Sequence, residues 1–219
     1  MIRKFIQPEK GAIAPTTREL WDAAREKLDE AETALAKMQA ARDRVSYEVA
    51  WSQCVDSVEE FWCRFFDEGN TAFTNFQPWA GVIIQERKED ETLQYFYQAR
   101  HQSQHGRIVM TWEEPKLIVG RGFAGRMYGL RIHPDGSYEA DAESNVPTGQ
   151  PFLVENAPGK PILPTIENKR HKQNFPAPSV HRGIRIVDRS PNTVVRLVLD
   201  YYGSVMSQAV RKFVDASDA

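Results

Sequence analysis

The sequence predicts an α+β fold in which a helical bundle carries a segment rich in β-strands and loops between its last two helices. Apolar residues recur at spacings of three and four up to residue 106 and again after residue 190, as in amphipathic helices. Short β-branched runs separated by turn residues lie between them. Proline and glycine mark the change, since 10 of 13 prolines and 9 of 13 glycines follow residue 106. We therefore predict a bundle over 1–106, a β-rich segment over 107–189 and a C-terminal helix over 190–219.

The composition is typical of a globular domain. Of the 219 residues, 41% are hydrophobic and 26% are charged, which excludes disordered and fibrous classes. The first residues lack the apolar stretch of a signal peptide, and no apolar run approaches the ~18 residues of a membrane span. We expect a cytoplasmic protein. Cys54 and Cys63 lack the spacing of a metal site, so we expect both to be buried hydrophobic residues.

Residues 16–68 are predicted to form two long antiparallel helices. The apolar stripe of the first runs through Leu20, Ala24, Leu28, Ala31, Leu35 and Met38. That of the second runs through Trp51, Val55, Val58, Trp62 and Phe65. We expect the second helix to end at Gly69, because glycine readily takes the left-handed C-cap conformation. The adjacent carboxylates Glu59 and Glu60 are expected to be surface charge.

The remaining elements follow in order. A short apolar segment over 79–84 precedes a predicted helix over 90–105. Strands are then expected within 107–112, 116–119 and 127–133, the last followed by a turn over 134–137, whereas 144–181 should be irregular with one strand over 151–155. Ser190 and Pro191 form a favourable helix start. The last helix is apolar around much of its circumference, so it must be buried in the bundle or in a dimer interface.

Positive charge gathers in the second half of the chain. Up to residue 106 there are 13 Lys and Arg against 18 Asp and Glu, and afterwards 15 against 12, so a polyanion would prefer the second half. Lys169, Arg170 and Lys172 precede Phe175 in a proline-bounded loop. This combination favours phosphate contacts and base stacking on RNA. The alternative is a loop that is charged because it is solvated.

One string carries the residues for phosphodiester chemistry. Arg100, His101 and His105 lie at the end of the predicted 90–105 helix. An arginine clamps a phosphate through two donors, and a histidine transfers a proton near neutral pH. Arg100 and His105 lie about 140° apart on a continuous helix, so unwinding of the last turn would bring them together. The alternative is a solvated helix end, where basic side chains complement the helix dipole.

The string Arg-His-x-x-x-His resembles the R-x4-6-H motif of HEPN-domain proteins, including the polar residue directly after the arginine. The resemblance covers roughly 16–106 and extends to two long antiparallel helices ahead of the motif helix. It implies that Arg100 and His105 are the catalytic pair and that His101 supports them. Arg107 occupies the place where one toxin subtype has a tyrosine, so regulation through that tyrosine is not implied.

The resemblance further implies a metal-independent endoribonuclease of toxin or phage-defence type. We expect no cofactor, and the absence of a long apolar run predicts no membrane partner. Its substrate would be RNA, cleaved by 2′-hydroxyl attack at a composite site in a homodimer. An antitoxin or defence-system protein is a further expected partner. In this interpretation Lys169, Arg170 and Lys172 bind the substrate. The rival hypothesis is a non-catalytic HEPN-like scaffold that binds a nucleotide or a protein partner.

Overall fold

The structure, a computed structural model, describes residues 19–103, 110–114, 116–119, 129, 131–132, 138–139, 154–157, 159–168 and 171–215. The chain divides into two compact units. The first comprises Met1–Met110 and Leu163–Ala219, and the second comprises Thr111–Ile162. The division predicted at residues 106 and 189 remains a prediction. In the described residues, no helix combines the length and apolar character that crossing a membrane requires.

The predicted α+β class is confirmed in its general form, since helices dominate and the strands form small antiparallel pairs. Helix α1 (Asp22–Ala40) and helix α2 (Arg44–Ala72) pack closely along each other. The short connection reverses the chain, and the Asp43 side chain caps α2 by accepting from the backbone N–H of Ser46 at 2.8 Å. The α1 stripe is buried at Ala24, Ala31, Leu35 and Met38.

Helix α2 extends beyond its predicted end, so the expectation of a glycine C-cap was wrong. Gly69 lies inside the helix, and Phe73 occupies the C-cap. A Cβ atom at residue 69 would lie 2.5 Å from the ring of Phe76. Gly69 therefore permits close packing of an aromatic ring against α2 because it lacks a Cβ atom. The ability of glycine to adopt a left-handed conformation is not needed at this position.

The apolar segment over 79–84 belongs to helix α3 (Phe76–Glu89), which buries Phe76, Ala80 and Ile83 at spacings of four and three. Helix α4 (Glu91–Ser103) follows and corresponds to the helix predicted over 90–105. Its start is fixed by Asp90, whose Oδ1 accepts from the backbone N–H groups of Thr92 and Leu93 at 3.0 Å each.

The last helix, α5 (Pro191–Ala209), returns to the helical unit. Ser190 caps it and Pro191 begins it, as predicted, and a π-helical turn over Val210–Val214 follows. It contacts α1, α2 and α4. Its buried residues include Val194, Val195, Val198, Leu199, Tyr201, Tyr202, Val205, Met206 and Ala209. Of the two predicted locations for this helix, the bundle is the one observed.

The described residues of the second unit form three antiparallel pairs of short strands. Strand β1 (Thr111–Trp112) pairs with β6 (Pro161–Ile162), β2 (Lys116–Val119) pairs with β5 (Val154–Ala157), and β3 (Arg131–Ile132) pairs with β4 (Tyr138–Glu139). The strands predicted within 107–112, 116–119, 127–133 and 151–155 each overlap one of these. The turn predicted over 134–137 lies outside the described residues.

Two further hairpins belong to the helical unit. Strand β7 (Ile166–Asn168) pairs with β8 (Gln173–Phe175), and β9 (Val180–His181) pairs with β10 (Ile184–Arg185). The prediction that 144–181 is irregular with a single strand was therefore wrong. These strands have two or three residues each, which is too short for a period-two pattern to be visible in the sequence.

Candidate functional site

Helix α4 carries two of the three predicted catalytic residues on its last turn. The Nε atom of Arg100 lies 3.9 Å from Oδ1 of Asp56 on α2, and the Arg100 side chain is 28% exposed. His101 is exposed on the same turn. His105 lies outside the described residues. Its distance from Arg100 therefore remains a prediction.

The surroundings of Arg100 are partly buried and carry mixed charge. Burial raises the pKa of Asp56, while the nearby Arg100 lowers it and Glu60 raises it. Burial also raises the pKa of Cys63, which Arg100 again opposes. The Nε of Arg100 is buried and makes no hydrogen bond with a residue that the structure describes. Arg100 therefore retains donor capacity that the described side chains do not use.

Cys63 departs from the expectation for the cysteines. Cys54 is buried as predicted, but Cys63 is exposed. Nine residues separate the two positions on α2, which is about 180° around a helix axis, so one faces the core when the other faces outward. The helical period that places Trp51 and Val55 inside therefore also places Cys63 outside.

The opposite flank of α4 holds the β7–β8 hairpin. Gln102 Nε2 donates to the carbonyl oxygen of Glu167 at 3.0 Å, and Asn168 Nδ2 donates to Gln98 Oε1 at 3.1 Å. Gln98 and Gln102 each lie about 160° around the helix from Arg100. The hairpin and Arg100 therefore occupy opposite sides of α4.

This hairpin carries the predicted basic loop. Lys172 lies at the end of its turn, is exposed, and has a φ of 52°, a left-handed conformation uncommon for a side chain with a Cβ. Lys169 and Arg170 lie outside the described residues. The structure thus brings Lys172 to the helix that carries Arg100, but on the other flank.

A buried polar cluster links α2, α3 and α5. Arg87 Nη2 donates to both carboxylate oxygens of Glu59, at 3.0 and 2.9 Å, and Arg87 Nη1 donates to the Tyr202 hydroxyl. The guanidinium also lies 4.4 Å from the centre of the Trp62 ring. Glu59 is only 8% exposed, so its prediction as surface charge was wrong. The charge is tolerated because Arg87 pairs with it.

A second cluster fixes the β9–β10 hairpin to the start of α4. Nδ1 of His181 lies 3.1 Å from Oδ1 of Asp90, and Oδ2 of Asp90 accepts from the backbone N–H of Arg182 at 2.6 Å. Burial would raise the pKa of Asp90, but the hydrogen bonds from His181, Arg182 and Leu93 outweigh it and lower that pKa. Asp90 thus both caps α4 and anchors a hairpin.

Metal ligands do not gather in the described part of the chain, where no group of three or more His, Cys, Asp and Glu side chains is placed to hold an ion. Comparison with protein-family models, with curated proteins and with solved structures found no match.

Sequence reasoning missed the partners of these side chains. Asp56 is 44 residues from Arg100, and 28 residues separate Glu59 from Arg87. Gln98 and Gln102 do share one face of α4, which the sequence shows, but their hairpin partners lie 70 and 65 residues away. No local pattern identifies such pairs.

Proposed function

We propose that this protein is a metal-independent endoribonuclease of HEPN type, acting as a toxin or in phage defence. The observation that supports this most is the position of Arg100. It lies on the last turn of α4, partly exposed, with its Nε facing Asp56 on α2. Two long helices, α1 and α2, precede α4, as the resemblance to HEPN-domain proteins implies.

The proposed reaction uses RNA as its own nucleophile. The 2′-hydroxyl attacks the adjacent phosphorus, the 5′-oxygen of the next nucleotide leaves, and a 2′,3′-cyclic phosphate remains. His105 transfers the proton, and Arg100 stabilises the charge that develops on the phosphate oxygens. Asp56 lies 3.9 Å from Nε as an ion pair, which leaves the outer nitrogens for the substrate. His101 supports the pair.

The active species in this proposal is a homodimer in which two copies of Arg100 and His105 face one RNA strand. DNA would not be cleaved, because it lacks the 2′-hydroxyl. A neutralising antitoxin or another defence-system protein is the expected additional partner.

The test is cleavage of total RNA by the purified chain in EDTA. Arg100→Ala and His105→Ala should each lower the rate by about a hundredfold or more, since each removes a positioned catalytic group. Arg100→Lys should not restore full activity, because lysine lacks the planar fork. Arg25→Ala is the matched control, since Arg25 is exposed on α1 and pairs with Asp22. Cleavage that needs a metal, or that persists in the His105 variant, would overturn the proposal.

One observation favours the rival function, a non-catalytic scaffold. The Nε of Arg100 is buried and faces Asp56, as in an ion pair that only joins α4 to α2. The same variants distinguish the two functions. If the protein is a scaffold, neither the wild type nor Arg100→Ala should cleave RNA. Arg100→Ala should then only lower the melting temperature.

A further inference from the structure

A cleft opens where the N-terminal half of α4 meets strand β8. Its volume is about 330 Å³, near the lower end of the roughly 300–1,000 Å³ typical of ligand sites. We call it the α4–β8 cleft, and it is lined by Glu91, Gln94, Gln173, Asn174, Phe175 and Pro176. The cleft lies along the interface between α4 and the β7–β8 hairpin. Further along α4, Gln98 and Gln102 bridge this interface by hydrogen bonds.

The amide side chains of this cleft are unused. Gln94 and Gln173 make no side-chain hydrogen bond with any other described residue, whereas Gln98 and Gln102 each make one to the hairpin. Gln173 and Phe175 lie on the same face of β8, because side chains alternate along a strand. This face turns toward α4, since Asn168, opposite Gln173, bonds to Gln98. The cleft therefore presents two amides without a side-chain partner among the described residues, beside a partly exposed aromatic ring.

Glu91 adds an oriented acceptor. Its Oε2 accepts from both the backbone N–H and the hydroxyl of Ser179, at 3.1 and 3.0 Å, which fixes the carboxylate. The other oxygen, Oε1, makes no hydrogen bond with a described residue. The cleft thus offers an acceptor as well as amides that both donate and accept.

We propose that the α4–β8 cleft binds one base of single-stranded RNA. Amide side chains pair with base edges, and a phenylalanine ring stacks on a base face. Lys172 directly precedes Gln173 and is exposed, so a cation lies beside the cleft for the phosphate of the same nucleotide. This inference rests on the proposed function, because RNA is the substrate there. It assigns base recognition to one flank of α4 and cleavage to the other.

The chemistry of the cleft also sets a preference among bases. Carboxylates accept hydrogen bonds from exocyclic amino groups, and glutamine pairs with adenine through an amino group and a ring nitrogen. Uracil has no exocyclic amino group. Adenine and cytosine should therefore bind more tightly than uracil.

The test measures binding without cleavage. Fluorescent 2′-O-methyl oligonucleotides of twelve adenines, cytosines or uracils cannot be cut by 2′-hydroxyl attack, so anisotropy titrations with the full chain report affinity alone. We expect the adenine strand and the cytosine strand each to bind about tenfold more tightly than the uracil strand. Gln94→Leu should reduce that ratio toward one, because it removes a hydrogen-bonding group that distinguishes the bases. Phe175→Leu should weaken binding of all three strands, because stacking on an aromatic ring depends little on the base. Gln53→Ala, an exposed amide on α2, is the control and should leave both the ratio and the affinities unchanged.

Lys172→Glu separates the phosphate contribution from base recognition. It should weaken binding of all three strands by a similar factor and flatten the salt dependence, with the ratio between bases retained. A variant enters the comparison only if its melting transition matches that of the wild type.

Two results would overturn the base site. One is a wild type that binds all three strands equally or binds none of them. The other is a Gln94→Leu variant with an unchanged ratio together with a Phe175→Leu variant with unchanged affinities. Failure of the nuclease proposal gives a different result. A protein that discriminates between bases but does not cleave total RNA would support the base site and refute only the cleavage site.

Discussion

Arg87 and Arg100 lie on neighbouring helices and are held in different ways. Arg87 is mostly buried, with its side chain 11% exposed, and uses its donors on Glu59 and Tyr202. Arg100 is partly exposed and faces only Asp56, at 3.9 Å, among the charged residues that the structure describes. A guanidinium whose donors are satisfied internally serves packing, whereas one with unused donors remains open to a ligand. This contrast is why the proposal places chemistry at Arg100 and stability at Arg87.

The first prediction concerns the buried pair. Arg87→Ala should lower the free energy of unfolding by about 3–5 kcal/mol, because it leaves the Glu59 carboxylate buried without its cation. The double variant Arg87→Met with Glu59→Met should recover much of that loss, since no unpaired charge remains. Urea denaturation measures both. Equal stability of Arg87→Ala and the wild type would show that the pair is unimportant.

The second prediction concerns Asp90 and pH. Because the native pKa of Asp90 is lowered, the carboxylate stabilises the fold above its unfolded pKa of about 3.9. That stability is lost as the pH falls from about 5 through the native pKa. Asp90→Asn should therefore lower the free energy of unfolding at pH 7 and flatten its decline between pH 5 and pH 2. Thermal or urea unfolding at several pH values measures this, and parallel curves for the two proteins would contradict it.

Arg100 and His101 could be placed at a helix end from sequence, because capping and periodicity are local. Their environment could not. Asp56, Gln98 and Asn168 are ordinary surface residue types, and only tertiary packing selects them as partners. Glu59 shows the same limit, since its sequence neighbours indicate surface charge and a residue 28 positions away makes burial tolerable.

At the scale of elements, the long helices were predictable and the short elements were not. Helix α3 contains Pro78 and Gly81, which disfavour helix, and β-branched residues between 82 and 84. Pro78 falls in the first turn, where proline is tolerated, and the burial of Phe76, Ala80 and Ile83 stabilises the rest. The short strands are defined by pairing across the chain, as in Val119 with Val154, and this information is not local.

The third prediction follows from the contact between α2 and α3. Gly69→Ala should destabilise the protein by about 1–3 kcal/mol, because the added methyl group overlaps the Phe76 ring. This cost exceeds the helix propensity that alanine gains, about 1 kcal/mol. Gly81→Ala is the matched control, since nothing lies within 4 Å of a Cβ there, and it should stabilise the protein slightly. Melting temperatures that rise for both variants would contradict the packing argument.

For the molecule as a whole, the helical unit is assembled from two separate stretches of chain, with Thr111–Ile162 forming its own compact unit between them. Thr111 pairs with Ile162 in the antiparallel β1–β6 ladder. The chain therefore enters and leaves the second unit at adjacent positions. Such a unit has the connectivity of an inserted module.

The fourth prediction uses that geometry. Replacing residues 112–161 by a short glycine-containing turn should leave a folded helical unit, because the two cut ends already lie side by side in a β-pair. The shortened chain should keep a strong helical circular dichroism signal and a cooperative melting transition. Loss of cooperativity would mean that the helical unit depends on the excised residues.

Helix α5 is the last helix of the helical unit to be synthesised. Arg196 on α5 bonds to Glu32 on α1 across 164 residues, so α1 is synthesised long before the helix that packs against it. At about 5–20 residues per second, the ribosome needs roughly 8–30 s to cover that distance. During this interval the surface of α1 and α2 that α5 covers in the folded protein has no α5 to cover it. A chain that ends before residue 190 would therefore lack the helix that covers this side of the core.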